Sequence, residues 1–291
     1  MSSYSLSNNQ LELKVNTFGA ELCSVRSKAD HVEYIWQADS AVWARHAPNL
    51  FPIVGRLREG TYRYEEQSYE LPQHGFARDH EFICIDQTAD TLVFELTANE
   101  STLGNYPFHF SLQISYLLQG DMLNVSYSVF NPSHRDLYMS LGAHPAFNCP
   151  LLAHETFEDY ELQFNGLNLL TVNKLHEGLI GEETKVIHLS DHKLHLNRSL
   201  FEKDALVLKG SQIHEVRLSS ALSGRGVEMA CADWPYFGIW TKPGTGQFLC
   251  LEPWYGITDA DHATGKLEEK EGIIKVPAEE VFNCFFTLKF W

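Results

Sequence analysis

The sequence predicts an all-β protein of antiparallel strands, and three observations predict it. Apolar residues recur at every second position over much of the chain. Gly, Pro and Asn punctuate the intervals between these runs. No long window carries helical periodicity.

The expected strands follow in chain order. A first run covers residues 11–15 and a second 92–96. Phe108, Phe110, Leu112, Ile114, Tyr116 and Leu118 then alternate with more polar neighbours. After Gln119-Gly120-Asp121 a second alternation runs through Leu123, Val125, Tyr127 and Val129, so the two read as a hairpin. Further short strands are expected at 138–141, 160–164, 205–208, 227–230, 237–240, 248–251 and 281–290. Residues 256–272 are polar and acidic and read as a long surface loop. Strands without intervening helices argue for a sandwich or barrel and against a doubly wound sheet. No linker, low-complexity segment or repeat interrupts the chain, so one domain over 1–291 is expected.

Composition excludes several classes. With 44% hydrophobic and 21% charged residues, the chain has enough apolar side chains for a full core. A formal net charge of -16 repels phosphate backbones and anionic lipid, so neither nucleic acid nor membrane is expected as a partner. No run approaches the roughly 18 apolar residues of a membrane span. The polar start Met1-Ser2-Ser3-Tyr4-Ser5 lacks the pattern of a secretion signal. Six scattered cysteines form no CxxC pair and read as free thiols of a reducing compartment, so a cytoplasmic protein is expected.

Three segments carry groups suited to proton transfer. Glu252 closes the apolar run Phe248-Leu249-Cys250-Leu251 and precedes Pro253 and Trp254. The proline biases Glu252 toward extended backbone, and the neighbouring ring should desolvate its carboxyl. His144 lies between Gly142 and Pro145 with Phe147 beyond, where a strand gives way to a stiff turn. His74 precedes Gly75, which permits close approach, then Phe76 and Arg78. Phe76 is suited to stack on a sugar face and Arg78 to donate forked hydrogen bonds. Arg56 follows the apolar run 50–54 and Gly55. From the residues alone each has a plain alternative: a surface ion pair for Glu252 or Arg56, a core histidine for His144, an ordinary turn at His74.

Other constellations are weaker. His188, His192 and His195 are the best metal candidates, but 192 and 195 point to opposite faces of a strand, and no metal is expected. Asp259-Ala260-Asp261 lacks the turn glycine of a calcium loop. No nucleophile elbow supports a serine triad.

Four segments in this order resemble the aldose 1-epimerase (galactose mutarotase-like) family, most closely its LacX-like branch. They are Phe51-Pro52-Ile53-Val54-Gly55-Arg56, His74-Gly75-Phe76-Ala77-Arg78, His144-Pro145-Ala146-Phe147 and Glu252-Pro253-Trp254. The resemblance covers nearly the whole chain and implies a single-domain antiparallel β-supersandwich. It implies Glu252 as base, His144 as acid, and His74, Arg56 and an aspartate as sugar ligands, with no cofactor. Asp204 is the better match for that aspartate and Asp233 the alternative; Phe76, Arg78 and Trp254 complete the expected sugar contacts. Pro145 departs from the aromatic usual after the second histidine, which leaves the preferred sugar open. The implied activity is mutarotation of a hexose such as galactose or glucose by a monomer or homodimer. Hexose-6-phosphates, held by Arg56 and Arg78, are the alternative substrates. A sugar-binding protein without catalysis and a metal-dependent enzyme built on His188, His192 and His195 are the rival classes.

Overall fold

Two large antiparallel sheets face each other in the computed structural model, which describes residues 2–291. The nine-stranded sheet runs in the order Lys193–His195, Tyr160–Phe164, Glu215–Ser220, Gly226–Ala230, Val281–Phe290, Met122–Phe130, Ser111–Gln119, Thr91–Thr97 and Ile83–Gln87. The eight-stranded sheet runs Leu179–His188, Leu169–His176, Leu206–Lys209, Tyr236–Trp240, Phe248–Tyr255, Leu141–Ala143 and Asn49–Leu50, with Ala146–Asn148 also paired to Phe248–Tyr255. A three-stranded sheet of Ser3–Ser7, Leu11–Asn16 and Glu21–Ser27 has its own hydrogen-bond ladder and packs Leu13, Val15 and Val25 into the main core. The expected all-β antiparallel sandwich is therefore present.

Alternation fixes which side chains enter the core. Along Ser111–Gln119, residues Leu112, Ile114, Tyr116 and Leu118 are buried while their neighbours are partly exposed. The hairpin to Met122–Phe130 forms about Gly120, with Leu123 opposite Leu118. These side chains meet Leu206, Leu208, Phe237, Ile239, Leu249 and Leu251 of the facing sheet in one continuous apolar cluster. Phe248–Tyr255 differs because almost every side chain along it is buried on both faces. Its second face packs beneath the cleft described below.

Two expectations need correction. The run 138–141 is split into Leu137–Met139, which pairs with Ile274–Val276, and Leu141–Ala143, which joins the eight-stranded sheet. Residues 256–272 are not a free surface loop. Ile257, Thr258, Asp259, Leu267 and Lys270 are buried, and Lys270 Nζ donates to Asp259 Oδ1 at 2.7 Å and to the Ile257 carbonyl at 2.6 Å. Among the described residues, no helix is long and apolar enough to cross a membrane.

Candidate active site

Sheet register brings the first two candidate residues together. Gly142 pairs with Trp254 and Ala146 pairs with Cys250 across the same antiparallel interface. Counting inward from either pair sets His144 opposite Glu252. Directly opposed side chains of antiparallel strands lie on one face and touch. His144 Nε2 is 3.1 Å from Glu252 Oε2, and both side chains are almost fully buried. On its other edge Glu252 is paired with Gly238, where an added Cβ would meet the Trp254 ring at 2.5 Å. That missing side chain leaves room for the indole beside the carboxyl.

His74 arrives by a second route. The chain leaves Asn49–Leu50 through Phe51, whose isolated bridge with Gly75 draws the 73–78 segment against the sheet. Gly75 sits at φ 70°, and a Cβ there would lie 2.2 Å from the Phe51 carbonyl oxygen, so only glycine fits. The Gly55 N–H donates to His74 Nδ1 at 3.2 Å, and the Gln73 side-chain nitrogen lies 3.2 Å from His74 Nε2. The His74 and His144 rings meet edge to face with centroids 5.6 Å apart.

These groups open on a cleft of about 940 Å³. Arg56, His74, Arg78, His144, Asp204, Glu252 and Trp254 all line it. Phe76 does not. Its ring is buried against Phe51, Tyr106 and Phe110, because the left-handed turn at His74-Gly75 rotates it into the core. Asp233 is exposed and lies off the cleft, which leaves Asp204 as the aspartate in place. Arg78 donates from Nη2 to the Gln73 carbonyl at 2.5 Å rather than presenting an open fork. Arg56 bonds Gln73 Oε1 at 3.3 Å and the Glu177 carbonyl at 3.5 Å.

Aromatic walls come from residues outside the four segments. Trp43 is stacked on the His144 ring with centroids 5.1 Å apart, and Trp240 meets the same ring edge-on at 5.9 Å. Trp43 lies in a segment without regular periodicity, so no pattern marks it. Trp240 ends an expected strand, yet alternation alone does not say that its face lines a cleft. Lys203 and Lys242 also line the cleft.

Burial sets the charges. It raises Glu252 well above the usual carboxylate range, and Asp204 adds to the rise. Burial also lowers His144 to about 3, with the Arg78 and Arg45 guanidiniums acting in the same direction. His74 is held well below its ordinary value by burial, then by His144 and three arginines. These shifts favour a proton shared by the pair on the carboxyl rather than on the imidazole. His144 Nδ1 and Trp254 Nε1 are buried with no hydrogen-bond partner. A polar guest in the cleft is the natural partner for such groups.

The histidines considered for metal do not gather. His188 ends a strand of the eight-stranded sheet, His195 lies in the nine-stranded sheet beside Glu161, and His192 Nδ1 contacts the Leu167 carbonyl. The metal-dependent rival loses its site.

Proton-transfer groups between tryptophans on a β-sandwich fit a protein that handles small, hydroxyl-rich molecules. The family model described as aldose 1-epimerase matches residues 2–269. The chain is 34% identical over 280 residues to the plasmid form of protein LacX from Lactococcus lactis subsp. lactis, covering 93% of each. A galactose mutarotase related enzyme from Lactobacillus acidophilus superposes with a TM-score of 0.95 at 33% identity, over 100% of this chain and 97% of that one. A galactose mutarotase-like protein from Lactobacillus casei gives a TM-score of 0.91 at 29% identity, over 100% of both chains. The chain belongs to the aldose 1-epimerase family, a family of sugar isomerases, and has the galactose mutarotase-like fold.

Proposed function

We propose that the protein interconverts the α and β anomers of a hexose such as galactose or glucose. The observation that carries this reading is the 3.1 Å contact of His144 Nε2 with Glu252 Oε2 in the cleft. Opening a hemiacetal needs a proton taken from the C1 hydroxyl and one given to the ring oxygen. Both oxygens are bonded to C1, so base and acid must be close neighbours, as these two groups are.

In the reactive tautomer Glu252 is a carboxylate and His144 an imidazolium. Its total charge equals that of the resting form, so contact with the sugar, not pH, selects between them. Glu252 takes the C1 hydroxyl proton while His144 gives its Nε2 proton to the ring oxygen. The bond from C1 to the ring oxygen breaks to leave the free aldehyde. Rotation about C1–C2 presents the other face, and reversal of both transfers closes the opposite anomer. No cofactor takes part, because the aldehyde is itself a stable intermediate. His74, Arg56, Arg78 and Asp204 hold hydroxyls, and Trp43, Trp240 and Trp254 cover the apolar faces of the ring.

The test follows pure α-galactose and α-glucose to anomeric equilibrium by polarimetry or NMR. Glu252→Gln is expected to slow the approach by roughly 10²–10⁴-fold with the fold retained. A mutant as fast as the parent removes Glu252 from the chemistry. Sugar binding with no acceleration by the parent leaves the non-catalytic binding protein.

One observation favours a phosphorylated hexose as the second reading. Lys203 lines the cleft, and Arg56 and Lys242 direct their hydrogen bonds to Gln73 Oε1 and the Glu177 and Val42 carbonyls, not to carboxylates. In a chain of net charge -16, cations left without acidic partners suit an anionic group. Competition by inorganic phosphate separates the two substrates.

A further inference from the structure

Phe248–Tyr255 carries one more side chain able to ligate a metal on the face that carries Glu252, the buried Cys250. Strand alternation sets Cys250 two residues before Glu252 on that face, and Ala146, two residues after His144, is its cross-strand partner. His144 nitrogen, Cys250 Sγ and a Glu252 oxygen all lie within 4.8 Å of one another. The proton transfers described above make no use of this thiol.

We propose that His144, Cys250 and Glu252 form an inhibitory site for a thiophilic divalent cation such as zinc or cadmium. One nitrogen, one sulfur and one oxygen ligand suit such ions, whereas magnesium and calcium prefer all-oxygen shells. Zinc bonds of about 2.0–2.3 Å require ligand atoms somewhat closer than 4.8 Å, within reach of small side-chain rotations. Three protein ligands leave the fourth tetrahedral position to water from the cleft. Binding converts the thiol to a thiolate and makes the pair a carboxylate and a neutral imidazole. The cation thus displaces two protons, one from Cys250 and the one shared by His144 and Glu252. With that proton gone and both groups ligated, neither acid nor base remains.

Inhibition rests on the proposed mutarotation, but metal binding does not, so the test reads them separately. The full chain carrying Cys23→Ser and Cys84→Ser, which remove the two partly exposed thiols, is titrated with cadmium chloride. A thiolate-to-cadmium ultraviolet band should saturate at one equivalent, recede with zinc and vanish with EDTA. Adding Cys250→Ala should abolish the band, and adding Glu252→Gln should weaken binding by about tenfold or more. Mutarotation should fall in step with the band in the parent, while Cys250→Ala stays active and needs about tenfold more cadmium for half inhibition. Absence of the band, or equal inhibition with and without Cys250, overturns the site. If Cys250→Ala does not fold, the response of the band to Glu252→Gln decides, and an unchanged band also overturns it.

Discussion

Trp43 lies nearly flat on His144, their planes 26° apart, and its other contacts hold it there. It stacks on Phe248 at 5.4 Å, its carbonyl accepts from Trp36 Nε1 at 2.8 Å, and Lys242 Nζ donates to the Val42 carbonyl at 2.7 Å. The ring fixes the plane of the imidazole and keeps water from it. Trp43→Ala is expected to lower kcat/KM by about tenfold, the worth of one aromatic contact. Trp43→Phe should recover most of that loss in the same polarimetric assay. Equal rates for Trp43→Ala and the parent would show that the stack does not position His144.

The shared proton sets an unusual pH dependence. An independent carboxylate and imidazolium would work best between about 4.5 and 6.5. Here the acidic limb comes from adding a second proton to the pair, which leaves no base. That proton must go onto His144, which burial lowers to about 3. Activity should therefore persist below pH 4.5 and fail only as pH approaches about 3. The alkaline limb comes from losing the shared proton, which leaves no acid, and the raised Glu252 moves it upward from the ordinary carboxylate range. Initial rates after brief pH jumps, corrected for the uncatalysed reaction, locate both limbs. An acidic limb at the ordinary carboxylate position would count against the pair.

His74 is predicted to bind rather than to transfer protons. Its Nδ1 is committed to the Gly55 N–H, and its Nε2 to the Gln73 side-chain amide 3.2 Å away. His74→Asn tolerates the φ of 66° found there and should raise KM by about tenfold with a smaller change in kcat. A fall in kcat as deep as that of Glu252→Gln would make His74 a proton-transfer group instead.

Lys270 tests the rim of the site. Its ammonium is buried with Asp259, whose other oxygen accepts the Arg58 N–H at 2.9 Å. This network anchors Thr258, which lines the cleft and whose hydroxyl donates to the Gly178 carbonyl at 2.6 Å. Lys270→Met leaves a buried carboxylate without its counter-ion and should cost about 3–5 kcal/mol in chemical denaturation. Asp259→Asn added to Lys270→Met should restore part of it, since the uncompensated charge is then gone.

Much of this was legible in the letters because alternation is local. Leu112, Ile114, Tyr116 and Leu118 announce both a strand and its buried face, and Gly120 announces the hairpin. The same logic failed at Phe76. Two successive left-handed residues, His74 and Gly75, break the period and turn the ring inward. It failed again at Lys270, where a polar composition hid a buried ion pair.

The sequence by itself determined the strand class, the apolar faces and the short list of proton-transfer groups, since these depend on neighbours a few residues away. Only packing set His144 opposite Glu252, walled the cleft with Trp43 and Trp240 rather than Phe76, and raised the carboxyl while lowering the imidazole. The reason is physical. Cross-strand register and loss of solvent belong to the assembled sheets, and segments distant in the chain acquire them only by packing together.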